Sequence, residues 1–349
     1  MINFDMHCQL LLPHLFWPDR DLHDIYRDVD APALEQLLGK GRRHAQAVSA
    51  EAWLCERFGV DRQTDWPVAP YCLLADGGEP GAQHWLRADP VHLRLEGNQL
   101  VLADSGAFSI SQQEAESLCD SLNAHFHPDG LTFYPLRPDR WYLRVERAPA
   151  LETTALPDAA GRSIDALLPR GADASSWRAR LNDVQMLLHG HAANEQRESA
   201  GAVPVNSVWL WGGGSIQAGI SAPFDAVWTR DPFAAGLARA AHIAARDLPD
   251  SAAGLLRASA GEGVNLVVLD ALRGAAQYRD AHGWREGLAR LEREWFAPLL
   301  EELRRERIGM LSVHALGPDS ALSAEVTRGD LRRFWRRVKP LGAYAIDLS

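Results

Sequence analysis

The sequence predicts an α/β fold: a mostly parallel sheet flanked by helices, with an inserted α+β module. Three observations predict it. From residue 203 onward, strand-like and helix-like segments alternate, the pattern of a parallel sheet covered by helices. Within that region VNLVVLDAL and IGMLSVHAL are near-continuous apolar runs, as strands buried on both faces require. The middle third instead shows two-residue alternation around turn signals, which marks antiparallel hairpins.

In chain order, residues 9–17 are a short apolar run holding Pro13 and bounded by Pro18, a buried strand followed by a turn. Residues 31–40 have helical spacing, with Gly41 just past the end. Residues 49–58 form a second helix, with Ser49 as N-cap and Gly59 as its stop. VHLRLEGNQLVLAD reads as a hairpin turning at Glu96-Gly97-Asn98. SISQQEAESLCDSLNAHF is a helix that Ser111 caps with Glu114 in reply. LTFYPL and RWYLRVER are strands around Arg137-Pro138-Asp139, and a helix is expected near 176–190 after a Pro- and Gly-rich loop over 148–174. VNSVWLWGGG is a strand ending in a glycine turn. PFAAGLARAAHIAARDL and GWREGLARLEREWFAPLLEELRRE each read as one long helix. The economical division puts 1–80 and 186–349 in one split α/β core and 81–185 in the inserted module.

The chain has 349 residues and a net charge of -10, a balance that disfavours nucleic acid and anionic membranes. No stretch approaches the length of a membrane span, and the N-terminus lacks a signal-peptide pattern, so a cytoplasmic location is expected. Cys8, Cys55, Cys72 and Cys119 are scattered without CxxC or zinc spacing and read as buried thiols. All basic residues except Lys40 and Lys339 are arginine, as a GC-rich genome or anion recognition would give. The run DLRRFWRRVKPL reads as a solvated basic helix face. Trp209 and Trp211 alternate on one strand and read as core.

Three stretches resemble the archaeal-type cofactor-independent phosphoglycerate mutases of the alkaline phosphatase superfamily. In LLHGHAANEQRESAGAVPVNSVWLWGGG the matching positions are His191, Asn194, Arg197, Gly201, Pro204, Asn206, Gly212 and Gly214. APALEQLLGKG with SAEAWLCERFG resembles the family's first helix and its nucleophile helix. RADPVHLRLEGNQLVLAD resembles the strand pair that opens the family's inserted domain. The chain also looks close to a bacterial set of RpfE-type regulatory proteins. The resemblance implies an alkaline phosphatase-like core with a cap module. It implies a phosphoryl-transfer centre with a serine or threonine nucleophile and two divalent cations held by aspartates and histidines.

Much of that centre is replaced here. Ser49 matches the nucleophile, but Ala50 stands where the family has an aspartate, with Glu51 adjacent. Pro13-His14 replaces the family's Asp-Gly at the first strand end. Leu269, Gly274 and Tyr278 fall at metal-ligand positions, as does Val313, between Ser312 and His314. The resemblance therefore implies a degenerate, non-catalytic pseudoenzyme with no metal cofactor, acting in a regulatory role. Its expected partner is a protein or a phosphorylated small molecule, with Asn194, Arg197, Asn206 and His314 as ligand-binding candidates. The alternative is a Mn- or Mg-dependent phosphomutase or phosphatase using Ser49, with His14, Asp270, His282 and His314 as relocated ligands; these would have to converge within about 6 Å.

Overall fold

A computed structural model describes residues 6–19, 21–317 and 320–346. The chain divides into two compact units, residues 1–59 with 221–349, and residues 60–220. The strands are β1 (His7–Leu12), β2 (Arg42–Gln46), β3 (His84–Glu96), β4 (Gln99–Ala103), β5 (Leu131–Arg137) and β6 (Arg140–Val145), followed by β7 (Ser207–Gly214), β8 (Ala226–Trp228), β9 (Ala244–Arg246), β10 (Val264–Val268), β11 (Met310–Leu316) and β12 (Ala321–Val326).

The first unit is built on a seven-stranded sheet in the order β2-β12-β11-β1-β10-β8-β9. β1 pairs in parallel with both β10 and β11, and β10, β8 and β9 continue in parallel. β12 is antiparallel to both of its neighbours. Burial on both faces explains the apolar runs: Leu10, Leu11, Leu266, Val267, Leu311 and Val313 are all fully buried. Helices Pro32–Lys40, Ala281–Leu291 and Ala297–Arg304 cover the sheet with Leu34, Leu37, Trp284, Leu288, Leu299 and Leu303 in one apolar core. The second unit carries the antiparallel sheet β4-β3-β6-β5, with β7 also paired to β3.

Several expectations change. The insertion is wider than 81–185, running over 60–220, because β7 bonds antiparallel to β3 and so belongs to the inserted unit's sheet. The glycines 212–214 are not a turn after a strand; they are strand. A Cβ at Gly214 would lie 2.4 Å from Pro67 Cβ, and one at Gly212 2.8 Å from Val68 Cβ. Only glycine lets the helix Val68–Ala75 lie so close on β7. The Ala-rich helix covers only Pro232–Ala240; His242 then turns at φ 57° and β9 comes next as the sheet edge. The last long helix is interrupted by a π-helical turn, Glu292–Phe296. That turn carries Glu292 to the start of helix Pro32–Lys40, where its carboxylate accepts the Ala33 and Leu34 N–H groups at 2.7 and 3.1 Å. The helix has no side-chain cap of its own, so Glu292 supplies it.

A buried ion pair anchors the inserted unit. Arg87 donates from Nε and Nη2 to Asp89 Oδ1 at 3.1 and 2.7 Å, and Trp211 Nε1 donates to Asp89 Oδ2 at 2.7 Å. The guanidinium lies 5.3 Å from both the Tyr142 and the Trp211 ring centroids. Asp89→Ala leaves a buried cation unpaired and is expected to destabilise the unit by about 3–5 kcal/mol. Urea denaturation followed by tryptophan fluorescence reads this directly; a loss below about 1 kcal/mol, the scale of an exposed pair, contradicts it.

Candidate functional site

The candidate site lies in the first unit, at the C-terminal ends of the parallel strands, where open α/β sheets present their ligand-binding loops. Ser49 is the N-cap of helix Ala50–Phe58, and its Oγ accepts the Ala52 N–H at 3.2 Å. The Glu51 carboxyl, two residues on, interacts electrostatically with that hydroxyl. Burial holds the Glu51 carboxyl above the usual range, against the opposing pull of its own N–H, of Arg273 and of Ser49. Past β8, Asp231 caps helix Pro232–Ala240 by accepting the Phe233 and Ala234 N–H groups at 2.9 and 3.0 Å. Thr229 Oγ1 accepts the Asp231 N–H at 2.9 Å.

Arg273 is the centre of this group. It begins the short helix after β10, held there by its N–H on the Asp270 carbonyl at 3.0 Å. Its Nη2 bonds Asp231 Oδ2 at 3.0 Å. Burial would lower its pKa, but the charges of Asp231, Asp270 and Glu51 raise it above the ordinary arginine value. Its Nε is buried with no hydrogen-bond partner among the described residues.

His14 turns out of β1 at φ 60°. Burial first, and then the charges of Arg273 and Arg279, push its pKa down to about 4, so it is a neutral imidazole at pH 7. Asp270 belongs to the Arg273 group. His282 stands apart, exposed in the first turn of its helix and 3.2 Å from Glu286. His314 lies within β11 as a buried link: its Nδ1 is 2.8 Å from Ser323 Oγ, its Nε2 is 3.3 Å from Gln9 Oε1, and its ring is 4.6 Å from Trp53. Burial, Arg57 and His7 lower its pKa to about 3.

The other three candidates are in the inserted unit, and their side chains bond groups of that same unit. Asn194 clamps a loop through the Leu188 carbonyl (2.7 Å) and both polar groups of Val205 (2.8 and 2.9 Å). Arg197 bonds the Val203 and Ser109 carbonyls and the Glu114 carboxylate at 2.7–2.8 Å. Asn206 pairs with the backbone of Leu93 in both directions, at 2.7 and 2.8 Å.

The residues present do not fit a pair of divalent ions. Such ions need several oxygen or imidazole ligands aimed at a common point. Among the described residues no three His, Cys, Asp or Glu groups make such a cluster. Pro13 and Leu269 follow β1 and β10 and Val313 lies within β11, and none of the three has a side-chain ligand atom; of the nearby carboxylates, Asp231 is bonded to Arg273 and Asp270 and Glu51 act on it through their charge. All four cysteines are buried thiols outside any disulfide, with Cys8 pushed up to about 12 by burial, so they are inert.

Asp231 and Arg273 are not singled out by the sequence reading. The Asp-Pro pair opening an apolar helix is a cap signal that could have found the first. Nothing local marks Arg273, because its partners Asp231 and Glu51 lie far away in the chain. Beside Asp270 there is a cavity of about 470 Å³, which Arg230, Leu248, Asp250, Arg290, Glu294 and Trp295 help to line. Arg230 is paired with Asp250 at 2.8 Å, whereas Arg290 makes no ion pair among the described residues. No helix among the described residues is long and apolar enough to cross a membrane.

No family model matches the chain. A 2,3-bisphosphoglycerate-independent phosphoglycerate mutase of Methanosarcina mazei is 33% identical over 116 residues, 33% of this chain and 29% of the relative. A probable enzyme of the same name from Geobacter sulfurreducens is 34% identical over 130 residues, 37% of this chain and 32% of the relative. The chain thus matches about a third of the length of these curated relatives. A solved protein of Pyrococcus horikoshii shares the fold, with a TM-score of 0.59 at 12% identity over 98% of this chain and 94% of that one.

Buried neutral histidines make stability depend on pH. The folded-state pKa of His314, about 3, lies below the ordinary 6.5. The unfolded chain therefore binds the extra proton first, and stability falls as pH drops from about 6.5 towards 3, by at most about 1.4 kcal/mol per pH unit. His314→Gln should flatten that part of the profile in denaturation series between pH 7 and 4; an unchanged slope contradicts the assignment. In the matched third of its sequence, this chain is similar to the 2,3-bisphosphoglycerate-independent phosphoglycerate mutases.

Proposed function

We propose that this is a degenerate phosphoglycerate mutase-like protein that binds a phosphorylated small molecule or a protein partner in a regulatory role, without metal-dependent phosphoryl transfer. The observation that carries this reading is Arg273, a cation of the chain itself set among Asp231, Asp270 and Glu51. A guanidinium offsets part of the charge of these carboxylates, holds an Asp231 oxygen, and repels a divalent ion from the same place. Without such ions a serine hydroxyl stays protonated near neutral pH and is a weak nucleophile. The cavity beside Asp270 supports ligand binding: its volume is in the range of small-molecule sites, and Arg290 on its wall is a cation with no carboxylate paired to it among the described residues.

A second reading, a metal-dependent phosphomutase or phosphatase, draws on the interaction of the Glu51 carboxyl with the Ser49 hydroxyl two residues before it. Metal content of the purified protein, with hydrolysis of p-nitrophenyl phosphate in added Mn, separates the two. The first reading expects substoichiometric metal and no turnover that depends on Ser49. Stoichiometric metal, with turnover abolished by Ser49→Ala, overturns it.

The two arginines give separate readouts. Arg273→Met strands the carboxylates and is expected to cost about 3–5 kcal/mol of stability, read by chemical denaturation. With phosphoglycerate as calorimetric probe, Arg290→Ala should weaken binding about tenfold, the loss of one charge-assisted contact. Equal affinity in the variant rules out the cavity as the phosphate site.

A further inference from the structure

The edge of the large sheet away from β9 is open. β2 bonds β12 on one side, and among the described residues no strand pairs with its other side. Its residues Arg42 to Ala45 are exposed and Gln46 is half-buried. An open edge of this kind is a template for another extended chain.

The segment after the helix Arg328–Leu331 lies beside the start of β2. Lys40 Nζ donates to the carbonyls of Arg333 and Arg336 at 3.0 and 2.7 Å, and the Arg336 guanidinium donates back to the Lys40 carbonyl. The helical face expected for this run is not formed, because the helix stops at Leu331. Beyond it the chain turns and presents Phe334 and Trp335 to solvent, 86% and 65% exposed. Their rings pack edge to face at 5.1 Å, so the exposed apolar surface is a single patch.

The surroundings are cationic on a chain whose net charge is -10. Arg42, Arg43, Arg332, Arg337 and Lys339 are at the surface. The Asp330 carboxylate is buried and already held by Arg333 and Arg336. Glu325 faces Arg42 from β12. Charged residues on an edge also deter pairing between copies, but that does not explain a pair of exposed aromatic rings beside them.

These features together select the occupant. A second copy pairing through β2 would bring four arginines to one short seam with no acidic residue of β2 to offset them, which like-charge repulsion disfavours. Nucleic acid or an anionic membrane would use the cations and leave the strand edge unused. An extended acidic peptide uses the edge, the cations and the rings at once. We propose that β2 and the 332–339 turn form a docking surface for an acidic, extended segment of a partner protein, which adds to the sheet beside β2 and rests an apolar side chain on Phe334 and Trp335.

The test uses the full chain and a fluorescein-labelled alternating peptide, (Glu-Val)5, followed by fluorescence anisotropy at low salt. Binding is expected to weaken with added salt and to fall about tenfold or more in Arg42→Glu with Arg43→Glu, and separately in Trp335→Ala. Melting followed by circular dichroism confirms that these surface variants remain folded. A peptide N-methylated at every residue keeps its charge but has no backbone N–H to offer from either edge, and it should not bind. Equal binding of the methylated peptide overturns strand addition. Failure of (Glu-Val)5 to bind, or tighter binding of oligo-dT or phosphatidylserine vesicles through the same residues, overturns the choice of partner.

Discussion

Carboxylates gathered at the ends of parallel strands repel one another, and in this protein Arg273 offsets part of that repulsion. Asp231, Asp270 and Glu51 arrive from three different junctions in the chain. Their mutual repulsion in a poorly solvated place would be worth several kcal/mol without a cation among them. Arg273 is delivered by the tight turn that its own N–H makes with the Asp270 carbonyl. The rest of the site depends on it. Asp231 can cap one helix and hold the guanidinium because the two tasks use different oxygens. His14 stays neutral because Arg273 and Arg279 add to the effect of burial.

A second polar seam runs through the sheet itself. His7 Nε2 lies 2.9 Å from Ser312 Oγ, and His314 joins Ser323 to Gln9 across neighbouring strands. Polar atoms inside an apolar sheet are tolerable only when paired. The seam meets that condition without any ion, and Trp53 closes it by lying against the His314 ring. The imidazole that the family resemblance offers as a ligand is therefore committed to holding strands together.

How much of this is legible in the sequence divides by range. Caps and stops are legible because their chemistry is local: Ser49, Gly59 and the Ser111–Glu114 box stand where the sequence puts them. The apolar strands are legible because burial on both faces leaves an unbroken run. β2 escapes detection because RRHAQ is polar throughout and becomes a strand only by pairing with β12, far along the chain. The wider insertion escapes it because β7 reads as a core strand in either sheet, and only its pairing with β3 decides between them. The π-helical turn has no local sequence mark; its reason is a long-range bond from Glu292 to the start of another helix. At the site, Pro13, Leu269 and Val313 can be read directly, but the meeting of Arg273 with Asp231 and Glu51 cannot, because those partners are remote in the chain.

Ser49 shows why Arg273, rather than the serine, separates the two functional readings. Its hydroxyl oxygen accepts from the helix, and it acts on the Glu51 carboxyl beside it. A cap and a nucleophile both fit that description. For the hydroxyl to attack a phosphoryl group, Glu51 must be free to take the proton, and something must neutralise the phosphate oxygens. Arg273 already draws on the Glu51 charge and bonds Asp231, so its positive field is largely spent within the protein. One guanidinium offsets one of the three carboxylate charges and holds one of their oxygens, so on the proposed reading it is Arg273, not Ser49, that competes with a cation for the group.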